Sequence, residues 1–408
     1  MQFSKYRYRP VHAICEALIG LAAPIISSSI RPLSTTNLNI LVIKFGGMGE
    51  AVLARSLLER LRERNPGMSF DFLVEDRTEE MMTLGSEGIV FRYTPGKDGI
   101  SRALKILRNI RRRKYDAILD FEQHSLLTAA FARASSIPFR VGFVQPIRDS
   151  RAGMFTHPVE LTEGKSMWNA FIKIGQILDP SLPDSLMTVP VTSSGSSEAW
   201  LKDWWTSNFE LLSNKRIVAI HLGVGPSAQY RRWPIERFVH LATRLTSMNK
   251  NVTFLLTGGS SEQSLIEDFR CKFSGNSIDA SGTGTLSNTA ALLKRCDLLI
   301  CGDTGIMHLA AAMGTPTVGL FGPNTPDCWA PVGPRATYVY PTVQPCSPCI
   351  NSYRRQIPAK CTAAIDSACM WDITVQDVLQ AAQNVAYGSW LELGFTAALH
   401  NLSYTPNA

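Results

Sequence analysis

The chain has no short internal repeat and no low-complexity tract, so no repeat architecture is expected. Its basic runs are not interleaved with aromatic side chains, and nucleic acid is therefore not an expected partner. It also lacks an apolar run able to span a bilayer: the nearest approach, residues 13–30, is too short and is interrupted by Glu16 and Pro24. A disulfide framework is missing too. Nine cysteines is an odd count, and Cys15, Cys271, Cys296, Cys301 and Cys328 are scattered through segments that read as core or helix, which suits a reducing cytoplasm. The first glycine-rich turn, FGGMGE at 45–50, has neither the full dinucleotide fingerprint nor the phosphate-loop lysine, so by itself it is no nucleotide site.

What remains is a chain of 408 residues, 45% hydrophobic, enough to fill two cores of roughly 150 to 200 residues each. The formal net charge of +7 favours anionic partners without naming one. Residues 1–37 form an N-terminal extension in which Lys5, Arg7 and Arg9 precede the apolar run. Ile14, Leu18, Leu21, Ala22 and Ile25 fall along one helical stripe, as expected of an amphipathic segment. It can pack on its own protein, lie on a membrane surface, or be a signal removed in the mature protein.

From Asn39 onward short apolar strands alternate with helices: expected strands lie at 40–44, 69–74, 89–92, 115–121 and 140–143. The segment 180–197, rich in proline and serine, reads as a linker. The alternation then restarts with strands at 217–221, 252–256, 297–301 and 316–321. This pattern predicts an α/β protein of two Rossmann-like, doubly wound domains with a cleft between them: 38–190, and 198–386 with a cysteine-rich insertion at 346–369. A tail follows at 387–408. Ligands of such folds sit beyond the carboxyl ends of the strands, where the glycine-bearing turns fall.

Four of those turns carry candidate chemistry. After the first strand, Gly46, Gly47 and Gly49 permit close backbone approach, and Glu50 is either a dipole-stabilised charge at a helix start or a general base. In the second domain a strand end leads through Ser227 to the pair Arg231 and Arg232 and then Trp233-Pro234; an arginine here offers forked donors to a diphosphate, or else forms an ordinary surface ion pair. LLTGGSSEQ places Glu262 at a helix start where ribose hydroxyls can be bound. In CGDTGIMHLAAAMGTPTVGLFGP, Asp303, Thr304, Gly305 and His308 stand at one helix N-terminus, which favours a phosphate or nucleotide diphosphate.

Two further clusters stand apart. The expected helix with Arg102, Lys105, Arg108, Arg111, Arg112, Arg113 and Lys114 has either a solvated basic face or one that meets anionic lipid or an anionic acceptor. Cys346, Cys349, Cys361 and Cys369 can form a four-thiolate zinc or iron site, remain reduced, or pair in a disulfide.

The series LVIKFGGMGE, YDAILDF followed by RVGF, PSAQYRRWP, LLTGGSSE and DLLICGDTGIMHLAAAMGTPTVGLFGP resembles glycosyltransferase family 9, the ADP-heptose:lipopolysaccharide heptosyltransferases. The likeness runs over roughly residues 40–385 and is strongest at 218–323. It implies a GT-B fold and an inverting transfer from a nucleotide-diphosphate sugar, most simply ADP-heptose, with no cofactor required for catalysis. The implied acceptor is a lipid-linked or oligosaccharide glycan of the cell envelope, reached at the inner face of the cytoplasmic membrane with peripheral membrane contact. Ser227 and Arg231 would then flank the diphosphate, Glu262 the nucleoside, and Asp303, Thr304, Gly305 and His308 the diphosphate and sugar. Relatives include protein-modifying enzymes that hold iron at comparable cysteines. The family's base is normally aspartate; Glu50 is one methylene longer, so a displaced turn or substrate must absorb its reach. The other readings are a relative using another nucleotide sugar or a protein acceptor, and a catalytically silent sugar-nucleotide binder.

Overall fold

The computed structural model describes residues 9–20, 37–146, 149–188, 190 and 195–386; within these, the side chains of residues 9–13, 16 and 226–228 are not described. The expected tail at 387–408 therefore lies outside the described residues, as do Leu21, Ala22 and Ile25 of the N-terminal stripe. The chain divides into two compact units, residues 1–192 and 193–408.

The first unit is built on six parallel strands, β1 (Asn39–Lys44), β2 (Ser69–Val74), β3 (Val90–Arg92), β4 (Ala117–Asp120), β5 (Phe139–Val144) and β6 (His157–Glu160), in the order β3-β2-β1-β4-β5-β6. The second repeats the plan with β7 (Arg216–His221), β8 (Val252–Thr257), β9 (Ser277–Asp279), β10 (Leu298–Gly302), β11 (Thr317–Leu320) and β12 (Ala336–Val339), ordered β12-β11-β10-β7-β8-β9. In each sheet the order of strand addition reverses once, between β1 and β4 and between β7 and β10. That reversal opens a crevice at the carboxyl ends of the two middle strands, where doubly wound folds bind ligands.

The central strands are legible as apolar runs because both faces of a parallel sheet are covered; Ile40, Leu41, Val42 and Ile43 are all fully buried. Three strands absent from the sequence expectation, β6, β9 and β12, occupy sheet edges or short edge-proximal positions. HPVE and SID carry too few apolar residues to announce a buried strand, and ATYV, though mostly apolar, is a four-residue run that stays only partly buried, as suits edge strands enclosed on one side.

The N-terminal helix Arg9–Gly20 packs within the first unit, against the helices Leu126–Ala134 and Ile100–Arg113. Ile14, Cys15 and Leu18 are buried in the same cluster as Leu107, Ile110 and Phe131. Of the three readings of the extension, packing on its own protein is what residues 9–20 show. No helix among the described residues is long and apolar enough to cross a membrane.

Candidate active site

In the first unit the crevice is lined by the turn after β1 and the segment after β4. Gly47 caps the helix Met48–Arg64 with φ of 70°, a left-handed conformation that favours glycine. Glycine is needed there twice over, because a Cβ would lie 2.7 Å from Cδ of Glu50. Gly46 contributes its N–H, and Gly49 sits in the helix's first turn. Glu50 is thus a first-turn acid, but its carboxylate also has a partner from the sheet: Nζ of Lys44, the last residue of β1, donates to its Oε2 at 2.6 Å. The same ammonium donates to Oε1 of Glu122, which further accepts the N–H groups of Phe45 (3.0 Å) and Gly46 (2.9 Å).

These partners push the two carboxylates in opposite directions. Burial raises both; for Glu50 it prevails over Lys44, with the charge of Glu122 adding to the rise. For Glu122 the contact with Lys44 and the two N–H groups overcome burial and leave its pKa below the ordinary value. Burial opposes the charge of Lys44, yet Glu122 and Glu50 together hold its pKa above normal. Asp120, at the end of β4, is fully buried and is pushed up to about 7 by that burial; its Oδ1 accepts from the Glu122 N–H at 2.9 Å. Two carboxylates with diverging proton affinities are how one site assigns a base and a fixed anion.

The second crevice gathers the expected donor residues. The turn Pro226–Arg231 is clamped on its far side by Trp233, whose Nε1 donates to the Ile373 carbonyl at 3.1 Å and whose ring meets Phe238 edge-on. Ser227 belongs to this turn, its side chain being among those not described. Arg231 Nη1 donates to Asp303 Oδ2 at 3.1 Å, and Asn324 Nδ2 donates to the same oxygen at 2.7 Å. Thr304 caps the helix Gly305–Ala312, which carries His308 in its first turns. Three buried polar atoms here, Arg231 Nε, Thr304 Oγ1 and His308 Nδ1, have no hydrogen-bond partner. Such groups cost free energy unless something satisfies them, so together they mark a binding surface. Burial lowers the pKa of His308 to about 4 against the pull of Asp303, so the ring is neutral near pH 7.

Glu262 lies beside this set, after β8. Its Oε2 accepts the N–H of Gly259 at 2.8 Å and its Oε1 the hydroxyl of Ser261 at 2.8 Å. Gly223, in the turn after β7, is required by it: a Cβ there would fall 2.2 Å from Cγ of Glu262. His221 ends β7, with Nδ1 3.1 Å from both Oγ1 and the carbonyl oxygen of Thr257.

Sequence reasoning passed over Lys44, Asp120, Glu122, His221 and Asn324. Four of them carried a usable signal, a polar residue at or just past the end of an apolar strand; Asn324 follows β11 by only a few residues.

The cysteine-rich segment braces this second site. The N–H groups of Cys349 and Ile350 donate to the Pro323 carbonyl at 2.9 and 2.8 Å, next to Asn324, and Tyr230 OH donates to the Pro358 carbonyl at 2.8 Å, next to Arg231. Cys349 and Cys361 pack on Tyr230 and Ile350. No disulfide joins Cys346, Cys349, Cys361 and Cys369, and burial with repulsion among the four raises the thiol of Cys369 to about 12. No group of three or more His, Cys, Asp or Glu side chains among the described residues has an arrangement fit to hold a metal ion.

Comparison with known proteins bears on the whole arrangement. Residues 103–359 match the model of glycosyltransferase family 9 (heptosyltransferase). Lipopolysaccharide heptosyltransferase 2 of Salmonella typhimurium is 23% identical over 326 residues, covering 74% of this chain and 88% of that protein. The solved structure of an Escherichia coli ADP-heptose lipopolysaccharide heptosyltransferase II superposes with a TM-score of 0.65 at 21% identity, over 86% of this chain and 98% of that one. The E. coli heptosyltransferase WaaC with ADP gives a TM-score of 0.62 at 16% identity, over 84% and 98% of the two chains. The two parallel-sheet units are those of the GT-B fold. With the family model spanning well over half its length, the chain belongs to glycosyltransferase family 9, the heptosyltransferases.

Proposed function

We propose that the protein transfers heptose from ADP-heptose to a hydroxyl of a lipopolysaccharide core or related cell-envelope glycan, with inversion at the anomeric carbon. The observation that carries this reading is the trio of unpartnered buried atoms, Arg231 Nε, Thr304 Oγ1 and His308 Nδ1, gathered at the crevice of the second sheet. Their chemistry suits a diphosphate and its sugar: a fixed cation with forked donors, a hydroxyl at a helix N-terminus, and a neutral imidazole. Relatives named as ADP-heptose-dependent and ADP-bound support adenine as the base. Ser227 is assigned to the diphosphate and Glu262 to the ribose.

In this mechanism Glu50 accepts the proton of the acceptor hydroxyl as its oxygen attacks the anomeric carbon, and the bond to the diphosphate breaks with its electron pair on the leaving oxygen. The guanidinium of Arg231 stabilises that developing charge, so the chemistry calls on no metal ion. The raised proton affinity of Glu50 suits it to the task, while the pinned charge of Glu122 does not. Lys105, Arg108 and Arg112 are exposed on the outer face of their helix, opposite buried Ala103, Ile106, Leu107 and Ile110, and support contact with anionic lipid or an anionic acceptor at the inner face of the cytoplasmic membrane.

The test is a panel of nucleotide sugars with and without lipopolysaccharide core oligosaccharides, read as nucleotide diphosphate release. ADP-heptose is expected to support acceptor-dependent release, and a preference for UDP- or GDP-sugars sinks the assignment. Glu50→Gln is expected to abolish transfer with the ADP dissociation constant unchanged; turnover at the wild-type rate would remove Glu50 from the base role.

A further inference from the structure

We propose that Lys44 is the positioning residue of Glu50 and that Glu122 is its permanent counterion, so that in this carboxylate–ammonium–carboxylate clamp only Glu50 exchanges protons. The inference rests on the reading of Glu50 as the base and names what prepares it.

The geometry is asymmetric. Lys44 is fully buried, and its ammonium is shared between Oε2 of Glu50 and Oε1 of Glu122. Glu122 Oε1 receives two backbone N–H groups as well, whereas Glu50 relies on Lys44 and the nearby amide of Gln123. Glu50 lies over Gly47, with one-fifth of its side chain exposed. Glu122 therefore keeps its charge, and Glu50 is the carboxylate open to a substrate proton. The other charged groups close by do not replace Lys44. Arg77 approaches Gly46 but is paired with Glu75, Asp120 is buried behind Glu122, and Arg151 is paired with Asp149.

Charge accounting gives Lys44 its role. With Glu50 ionised the clamp carries one net negative charge, and after proton uptake from the acceptor it is neutral, the state that burial favours. Without the ammonium, two carboxylates would share one partly buried site, and Glu50 would hold its proton before any acceptor arrived. Lys44 keeps the base empty, and its contact with Oε2 fixes the carboxylate's direction.

Full-length protein labelled with ¹³C at glutamate carboxyls tests this without substrate, the Glu50 resonance being the one that Glu50→Gln removes. In Lys44→Met its titration midpoint is expected to rise by about one pH unit, and in Glu122→Gln, which retains an oxygen for the two N–H groups, to fall by a similar amount. Lys44→Arg is expected to restore the midpoint toward wild type. The acidic limb of kcat for ADP release from ADP-heptose should move in the same two directions. Midpoints unmoved in both variants would overturn the clamp, and so would movement of both in one direction, as general loosening would produce. An active Glu50→Gln would instead defeat the base reading and leave the midpoints to judge the clamp alone.

Discussion

Arg231 and Asp303 meet through a single hydrogen bond, Nη1 to Oδ2 at 3.1 Å, and Asn324 fixes the carboxylate by donating to that same oxygen at 2.7 Å. Arg231 precedes Asp303 by 72 positions and Asn324 follows it by 21, so it is the carboxyl ends of β7, β10 and β11 that bring the three together. The pairing holds the guanidinium in place while its Nε has no partner. That is preorganisation for an anion, since the donor is already oriented when the ligand arrives.

Arg231→Met should therefore weaken ADP binding by about 10- to 100-fold, the range expected for losing charge-assisted hydrogen bonds to a phosphate. Asn324→Ala, which only frees Asp303 to turn, should cost about threefold to tenfold. Isothermal titration with ADP reads both. Equal affinity in Arg231→Met and wild type would move the diphosphate elsewhere.

Gly223 tests the nucleoside side of the same site. A methyl at this position would strike Cγ of Glu262 at 2.2 Å, and the acid could yield only by giving up its bond to the Gly259 N–H. Gly223→Ala is expected to weaken ADP binding about tenfold while inorganic pyrophosphate binds as before. If pyrophosphate weakens equally, the substitution has disturbed the diphosphate turn rather than Glu262.

How far the residues announce this site depends on how local each part is. Asp303, Thr304 and His308 follow one another along a strand, turn and helix, so a linear pattern suffices to group them. The partners that give those residues their properties come from afar: Lys44 and Glu122 are 78 positions apart and Asp303 and Asn324 are 21 apart. Sheet order decides such pairings, and sheet order follows from connections that no single stretch displays. The same reasoning explains why ILVIK declares itself as a strand and SID does not, for the first is enclosed on both sides and the second borders its sheet.

Asp120 should leave a signature in the pH dependence of stability. Its carboxyl is raised from 3.8 to about 7, so between those values the folded chain holds a proton that the unfolded chain has lost. Stability contributed by this group falls as pH rises through that window, by on the order of 4 kcal/mol if the shift is taken in full. His308 acts in the opposite sense: lowered from 6.5 to about 4, it makes the native state less stable as pH falls through that range. Asp120→Asn keeps an acceptor for the Glu122 N–H and removes the ionisation. Urea unfolding at pH 5 and pH 8 should show the variant gaining on wild type at the higher pH. A constant difference at the two pH values would mean that native Asp120 ionises normally.

The cysteine-rich segment holds the donor turns through Pro323 and Tyr230, contacts that need no metal. Protein dialysed against a strong chelator is expected to keep its ADP dissociation constant and melting temperature. A fall in either that zinc or iron restores would give the four thiols a ligand role instead.

The N-terminal helix makes the last case, because its sequence allowed three fates and its packing selects one. Leu18 is fully buried between the helices Leu126–Ala134 and Ile100–Arg113, within the core cluster that includes Phe131. Truncating such a residue removes its transfer free energy and leaves a cavity, so Leu18→Ala should destabilise the first unit by about 2 to 4 kcal/mol. Exposed Ile19, the next residue, supplies the control: Ile19→Ala should change stability by less than about 1 kcal/mol. Chemical unfolding followed by hydrogen exchange in β1 and β4 reads the effect where it belongs. If Leu18→Ala leaves that protection unchanged while vesicles of anionic lipid capture the wild-type protein through residues 9–20, the helix serves the membrane surface and its packing is secondary.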